Sequence, residues 1–160
     1  MTPNMQTNLT VEQKACNFET REHIANVQKF IHIFVKALLD RADKHDLSKL
    51  ESPEVEAFTE CTKELAGMTY GSPEYKESLK KLGPALEHHY AKNSHHPEHW
   101  SRGIRDMDLV DIIEMFCDWK AATMRHNDGN LAKSIHHNAT RFGFPAELEE
   151  IFENTAKLVD

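Results

Sequence analysis

From Arg21 to Lys44 the apolar residues Ile24, Val27, Ile31, Val35, Leu38 and Ala42 recur three or four positions apart. That spacing puts them on one stripe of a helix, because a helix turns once every 3.6 residues. A strand would need alternation at period two, and no stretch of this chain sustains it. Helices with one apolar face can bury that face only against other helices, so the expected fold is all-α. His45, seven residues after Leu38, continues the stripe and is expected to point inward. Ser52-Pro53-Glu54 and Ser72-Pro73-Glu74 both read as helix starts, with serine as cap and proline in the first turn. The first of these helices should run to about Ala66 and stop at Gly67. The second should carry Tyr75, Leu79 and Leu82, meet Gly83-Pro84, and kink or restart before Leu86 to Tyr90. Asp108 should cap a strong helix reaching about His126, ended by Asn127-Asp128-Gly129. Two shorter helices follow, about Leu131 to Phe142 and Pro145 to Leu158. With 160 residues, no repeat and no linker, the reading is a polar segment over 1–18 and one compact helical domain over 19–160.

The net charge of −7 argues against duplex nucleic acid, which needs a basic face to displace counterions. It leaves open a small phosphate-bearing ligand, since a bound cation reverses the local field. No apolar run approaches the roughly 20 residues of a membrane span. Residues 1–10 have neither the basic start nor the apolar stretch of a signal peptide. Cys16, Cys61 and Cys117 are odd in number and widely spaced, which fits a reduced compartment rather than a disulfide framework. A cytoplasmic location, no membrane partner and an open choice between monomer and homo-oligomer are the expectations.

Five of the eleven histidines fall within twelve residues, His88-His89-Tyr90-Ala91-Lys92-Asn93-Ser94-His95-His96-Pro97-Glu98-His99. Imidazole is the commonest biological metal ligand, and such a density points to a metal centre rather than to a solvated loop. His89 and His96 are the expected ligands. Asn93 and Glu98 can orient imidazole protons, and His95 and Asn93 are assigned to substrate. A second constellation is His45-Asp46-Leu47-Ser48-Lys49. Imidazole and carboxylate diverging from adjacent residues at a helix end can reach one ion, with Lys49 free to neutralise a phosphate. Its plain alternative is a helix terminus with a histidine at the negative end. In the third, Leu109, Ile112, Ile113 and Phe116 form the expected apolar side of a helix. Asp111, Glu114, Asp118 and Arg125 lie on another side, either as an ordinary solvated stripe or as part of a site. Neither a Gly-rich phosphate loop nor a serine elbow is present.

These motifs carry a resemblance. His45-Asp46-Leu47-Ser48-Lys49 resembles the His-Asp-x-Gly-Lys stretch of the HD-domain superfamily, with Ser48 in place of glycine. In that comparison Asp118 matches the late metal-binding aspartate, and His89 and His96 match the extra histidines of two-metal members. More closely, the chain resembles an uncharacterised phage and bacterial family through four stretches. They are His45 to Lys49, Tyr70 to Tyr75, the His-His-Pro-Glu-His loop of His95 to His99, and Glu-Met-x-x-Asp-Trp from Glu114 to Trp119. The superfamily's first metal histidine has one natural counterpart, His23. An unbroken helix of 22 residues would hold it about 33 Å from His45, whereas two ligands of one ion lie within about 5 Å. His23 is therefore not assigned to the site, and the fold is read as a divergent or only analogous HD arrangement.

The resemblance implies a metal-dependent phosphohydrolase acting on a nucleotide or related small phosphate ester. His45, Asp46, His89, His96 and Asp118 would hold one or two divalent ions (Mn, Co, Zn, Mg or Fe). Lys49 and Arg125 would stabilise phosphoryl charge and bind substrate, and Glu114 would be the general base. Two alternatives remain: a di-iron HD-type oxygenase, and a non-enzymatic helical binding protein with a structural metal.

Overall fold

The computed structural model describes residues 9–65, 68, 72–74, 77, 80, 82–125 and 129–159. Among them every regular element is helical: α1 (Val11–Ala42), α2 (Glu54–Leu65), α3 (Gly83–Lys92), α4 (Leu109–Thr123), α5 (Leu131–Phe142) and α6 (Ala146–Ala156). Three single turns of 3₁₀ helix, Leu47–Leu50, Pro97–His99 and Gly103–Asp106, shape the connections. The all-α expectation holds, and no helix among the described residues is long and apolar enough to cross a membrane. Tyr70, Gly71, Tyr75 and Leu79 lie outside the described residues, as do Ala66, Gly67, His126, Asn127 and Asp128.

The chain divides after Asp40 into two packing units. In the first, residues 11–40 are one helix, beginning ten residues before the expected Arg21. The expected buried stripe is not buried: Ile24, Val27, Ile31 and Val35 are exposed, and Leu38 is half-buried. Among the described residues this unit holds one helix and no second element that could cover an apolar face. Arg41 and Ala42, the last residues of α1, belong to the second unit, which holds everything that follows.

In that unit Met115, Phe116 and Trp119 of α4 pack with Leu131, Ile135 and Ala139 of α5, and with Phe144, Phe152 and Ala156 around α6. Phe152 stacks on Phe116 with centroids 5.8 Å apart and meets Trp119 and Phe144 edge-on at 5.3 and 5.6 Å. Replacing Phe152 with Leu keeps the site apolar but loses these ring contacts. It should cost about 1–2 kcal/mol, read as a lower urea midpoint with unchanged slope.

The caps of α4 and α5 follow the sequence signals, whereas α2 starts at Glu54, after Pro53, and among the described residues its first N–H groups bond the Glu51 carbonyl rather than the Ser52 side chain. Asp108 accepts from the backbone N–H groups of Val110 and Asp111, and Asp111 reciprocates on the Asp108 N–H, so α4 starts in a capping box. The Asn130 side chain caps α5, and Gly143, at φ 62°, ends it in the left-handed conformation that glycine adopts without strain. Pro84 sits in the first turn of α3, so Gly83-Pro84 begins a helix.

One facing assignment is corrected. On α4, Leu109 and Ile113 are exposed, whereas Asp111 and Glu114 are buried beside Val110, Met115 and Trp119. Hydropathy alone places acids outside. Here buried partners on other elements compensate the two carboxylates, and the helix turns that face inward.

Candidate metal centre

Four segments of the second unit deliver side chains to one place. The chain leaves α1 and turns sharply at Asp46, whose φ of 57° is the one positive value at a non-glycine residue among those described. Aspartate tolerates this left-handed conformation better than most residues, at a cost of about 1 kcal/mol. The reversal lets His45 and Asp46 approach the same space from adjacent positions. The last turn of α3 supplies His89, and the loop after it supplies His95 and His96. That loop is fixed by Ser94 Oγ donating to Asp111 at 2.7 Å, Trp100 Nε1 donating to the Ser94 carbonyl at 2.8 Å, and His99 Nδ1 donating to the Tyr90 carbonyl at 2.7 Å. From α4 come Glu114 and Asp118, one turn apart.

The ligating atoms converge on Asp46. Its Oδ1 lies 3.4 Å from His89 Nε2 and 3.6 Å from His95 Nε2, while His96 Nε2 is 2.9 Å from His89 Nε2. Its Oδ2 lies 3.4 Å from His45 Nε2, which in turn is 3.8 Å from Asp118 Oδ1. Two sets of donors therefore share one carboxylate. Asp46, His89, His95 and His96 form one, and His45, Asp46 and Asp118 the other, with the donors in each set within 4.8 Å of one another. Bonds of about 2 Å place two ligands of one ion roughly 3–4 Å apart, which these separations match.

Carboxylates set the direction of the imidazoles. Glu54, completely buried at the start of α2, accepts from His88 Nδ1 at 2.7 Å, His89 Nδ1 at 2.8 Å and Ser48 Oγ at 3.0 Å. Glu114 Oε1 accepts from His45 Nδ1 at 2.9 Å and faces His95 Nδ1 at 3.1 Å. An ionised carboxylate only accepts, so Nδ1 of His45, His89 and His95 carries the proton and Nε2 is turned toward Asp46. Two buried polar atoms are left without a hydrogen-bond partner among the described residues, Asp46 Oδ1 and His95 Nε2. Both face the shared space, and buried acceptors of this kind call for a cation.

The electrostatics agree. Asp118, and after it Glu114, pushes His45 up to about 10 against the effect of burial, so these acids favour a proton on its Nε2 that a cation bound there would have to displace. Burial, then the neighbouring His95 and His89, pushes His96 down to about 3 and keeps it neutral, as a ligand must be. Burial works to raise Asp46, but Lys49, whose Nζ is 2.6 Å from Oδ2, holds it below the usual carboxylate range. For Glu114 burial is likewise outweighed, here by hydrogen bonds from His45 and His95 and by the Arg41 charge, and it is held far below that range.

The structure thus brings together His45, Asp46, His89, His96 and Asp118, the five residues read as ligands. Other assignments change. His95, expected to meet substrate, lies in the same candidate cluster, with its unpartnered Nε2 facing Asp46. Glu114 has both oxygens committed to Arg41, His45 and His95 and is held too acidic for a base; it positions imidazoles. Asn93 donates to Ser48 Oγ and to the His89 carbonyl, so it braces the end of α3 rather than a substrate. Glu98 pairs with Arg141 at 2.5 Å. Arg125 is exposed past the end of α4 and outside the cluster, because the helix that would have carried it along the acidic face ends at Thr123. Lys49 lies at the rim on Asp46. His23 is exposed and is in none of the candidate clusters among the described residues.

Two positioning residues escaped the sequence reading. Glu54 was legible only as the first residue of a helix. Arg41, which donates from Nε to Glu114 at 2.6 Å and from Nη2 to Asp111 at 2.8 Å, was legible only as the end of an apolar helix. One side of the centre is accessible: a cavity of about 710 Å³ opens against His96 and Asp118.

No curated protein and no solved structure matches the chain. A family model does match, over residues 12–160, and the chain belongs to that family, a family of unknown function (DUF5662).

Proposed function

We propose that this chain is a metal-dependent phosphohydrolase acting on a nucleotide or a related small phosphate ester. The observation that carries the reading is the position of Asp46. It is a half-buried carboxylate whose buried Oδ1 faces three imidazoles and whose Oδ2 faces His45, beside a cavity large enough for a small molecule. His45, Asp46, His89, His95, His96 and Asp118 would hold one or two divalent ions. Four imidazoles with two carboxylates suit the Mn to Zn series better than Mg, which prefers oxygen ligands and bound water. When bound, such an ion lowers the pKa of a coordinated water and neutralises phosphate oxygens.

The chain's own residues do the rest. Glu114 and Glu54 fix the imidazoles by their Nδ1 protons, so the donor geometry exists before any ligand arrives. Lys49 places an ammonium at the rim of the centre, where it offsets the carboxylates and meets incoming negative charge. Asp118 and His96 are the cluster residues that form the cavity wall, so substrate reaches the centre on their side. That accessible side supports a catalytic reading over a closed structural site, which would present four ligands and no approach.

The test measures bound metal after purification without additions, then phosphate release from a nucleotide panel with Mn, Co, Zn or Mg supplied. Divalent-dependent release that Asp118→Asn reduces by about 10²-fold or more is the expected result. Release unchanged by chelator or by that substitution rejects the reading. The imidazole count also supports a di-iron oxygenase as second reading. Tightly held iron with visible absorption, and no phosphate release, would favour it.

A further inference from the structure

The cavity beside the metal centre has a second wall that the chemistry above does not use. Lys133, His137 and Arg141 all line it from α5. They are four residues apart, so they stand in one column on one face of the helix, spanning about 12 Å. Among the described residues Lys133 has no ion-pair partner for its ammonium. Arg141 is steadied by Glu98 and by the Phe142 ring 4.7 Å away, which leaves further guanidinium donors available. Among the described residues the acids on the cavity wall are Glu98, already paired with Arg141, and Asp118, which belongs to the candidate metal centre. Two permanent cations, Lys133 and Arg141, with His137 between them, therefore face the cavity along α5, and His96 and Asp118 of the cluster line the same cavity. A phosphate at the centre alone would leave the column unused.

We infer that the cavity selects a phosphate ester carrying a second anionic group. The ester phosphate faces Asp118 and His96 while the second group lies on the Lys133, His137 and Arg141 column. The inference rests on the phosphohydrolase reading for the role of the first phosphate, and it names the substrate class within it. A volume of about 710 Å³ accommodates a molecule of nucleotide size. A nucleoside bisphosphate has the required pattern of two separated anionic groups, and a nucleoside monophosphate lacks the second.

The experiment is calorimetric titration of the whole chain, with manganese present, using adenosine 5′-monophosphate and adenosine 3′,5′-bisphosphate as probes. The wild type should bind the bisphosphate about tenfold more tightly, the worth of one charge-assisted contact in a partly dry site. Lys133→Glu should bring that ratio below about threefold. Lys133 is exposed, so the variant should melt at the wild-type temperature. Equal affinity for the two probes, or a preference that survives Lys133→Glu, overturns the inference. Phosphate release separates the two readings. Release with no bisphosphate preference leaves the phosphohydrolase standing without the second subsite. A Lys133-dependent preference with no release under any divalent ion keeps the subsite and removes the hydrolase.

Discussion

Asp46→Asn should abolish the response of this protein to divalent ions while leaving its fold intact. In the wild type, an ion at 100 times its dissociation constant stabilises the folded state by about 2.7 kcal/mol, which for a chain of this size raises Tm by roughly 5–10 °C. The variant should shift by less than about 1 °C, and phosphate release should fall by about 10³-fold or more. Asparagine is the informative replacement. It matches the shape of aspartate and also tolerates the left-handed backbone found at this position, so neither volume nor strain confounds the result. What it removes is the negative charge that both donor sets share, and it puts an amide N–H₂ where one ligand oxygen stood. The metal-free variant should lie within about 1 kcal/mol of the metal-free wild type, because the lost Lys49 pair is half-exposed and such pairs contribute little. Differential scanning calorimetry with and without chelator reads both quantities. An undiminished ion-dependent shift in the variant would remove the metal centre altogether.

What could be read from sequence divides along a physical line. Elements decided by local chemistry were legible. The span of α5 follows from Asn130 at one end and Gly143 at the other, and the start of α4 follows from Asp108. The membership of the side-chain cluster was legible for a related reason: imidazole density and a His-Asp pair are unusual chemistry, whatever the fold. Pairings across the chain were not. Glu54 reaches His89 across 35 positions, and Arg41 reaches Asp111 across 70. Neither partner carries a local signal of the other. The same blindness explains the facing of α4, where polarity suggests that Asp111 and Glu114 belong in water. Only the partners brought by α1 and the histidine loop make their burial sensible. Arg125 fails differently, since an i, i+7 relation means nothing once the helix has ended.

Arg41 is where that hidden layer is most exposed to experiment. Its guanidinium is the cation for two carboxylates that are nearly inaccessible to water, Asp111 at 2.8 Å and Glu114 at 2.6 Å. Arg41→Met keeps the long apolar stem and removes the charge, leaving both acids buried without it. Breaking a buried ion pair from one side costs about 3–5 kcal/mol. Here the loss should be nearer 2–4 kcal/mol, because Arg41 itself is partly solvated and each acid keeps other donors: Ser94 Oγ and the Asp108 N–H on Asp111, His45 and His95 on Glu114. The functional consequence follows from those same donors. Glu114 holds the imidazoles of His45 and His95 by their Nδ1 protons, so a carboxylate released from Arg41 lets both rings drift from the Asp46 side. Divalent affinity should fall by about 10–100-fold although Arg41 is not itself a ligand. Adding Glu114→Gln to Arg41→Met should recover part of the stability, giving a coupling of roughly 1.5 kcal/mol or more, because the uncompensated charge goes with the carboxylate. It should recover none of the metal affinity, because a neutral amide is a poorer anchor for two imidazole N–H groups. Urea denaturation and metal titration of the four-member cycle read the two effects separately. An Arg41→Met protein that binds ions as the wild type does would show that the imidazoles are held without Glu114.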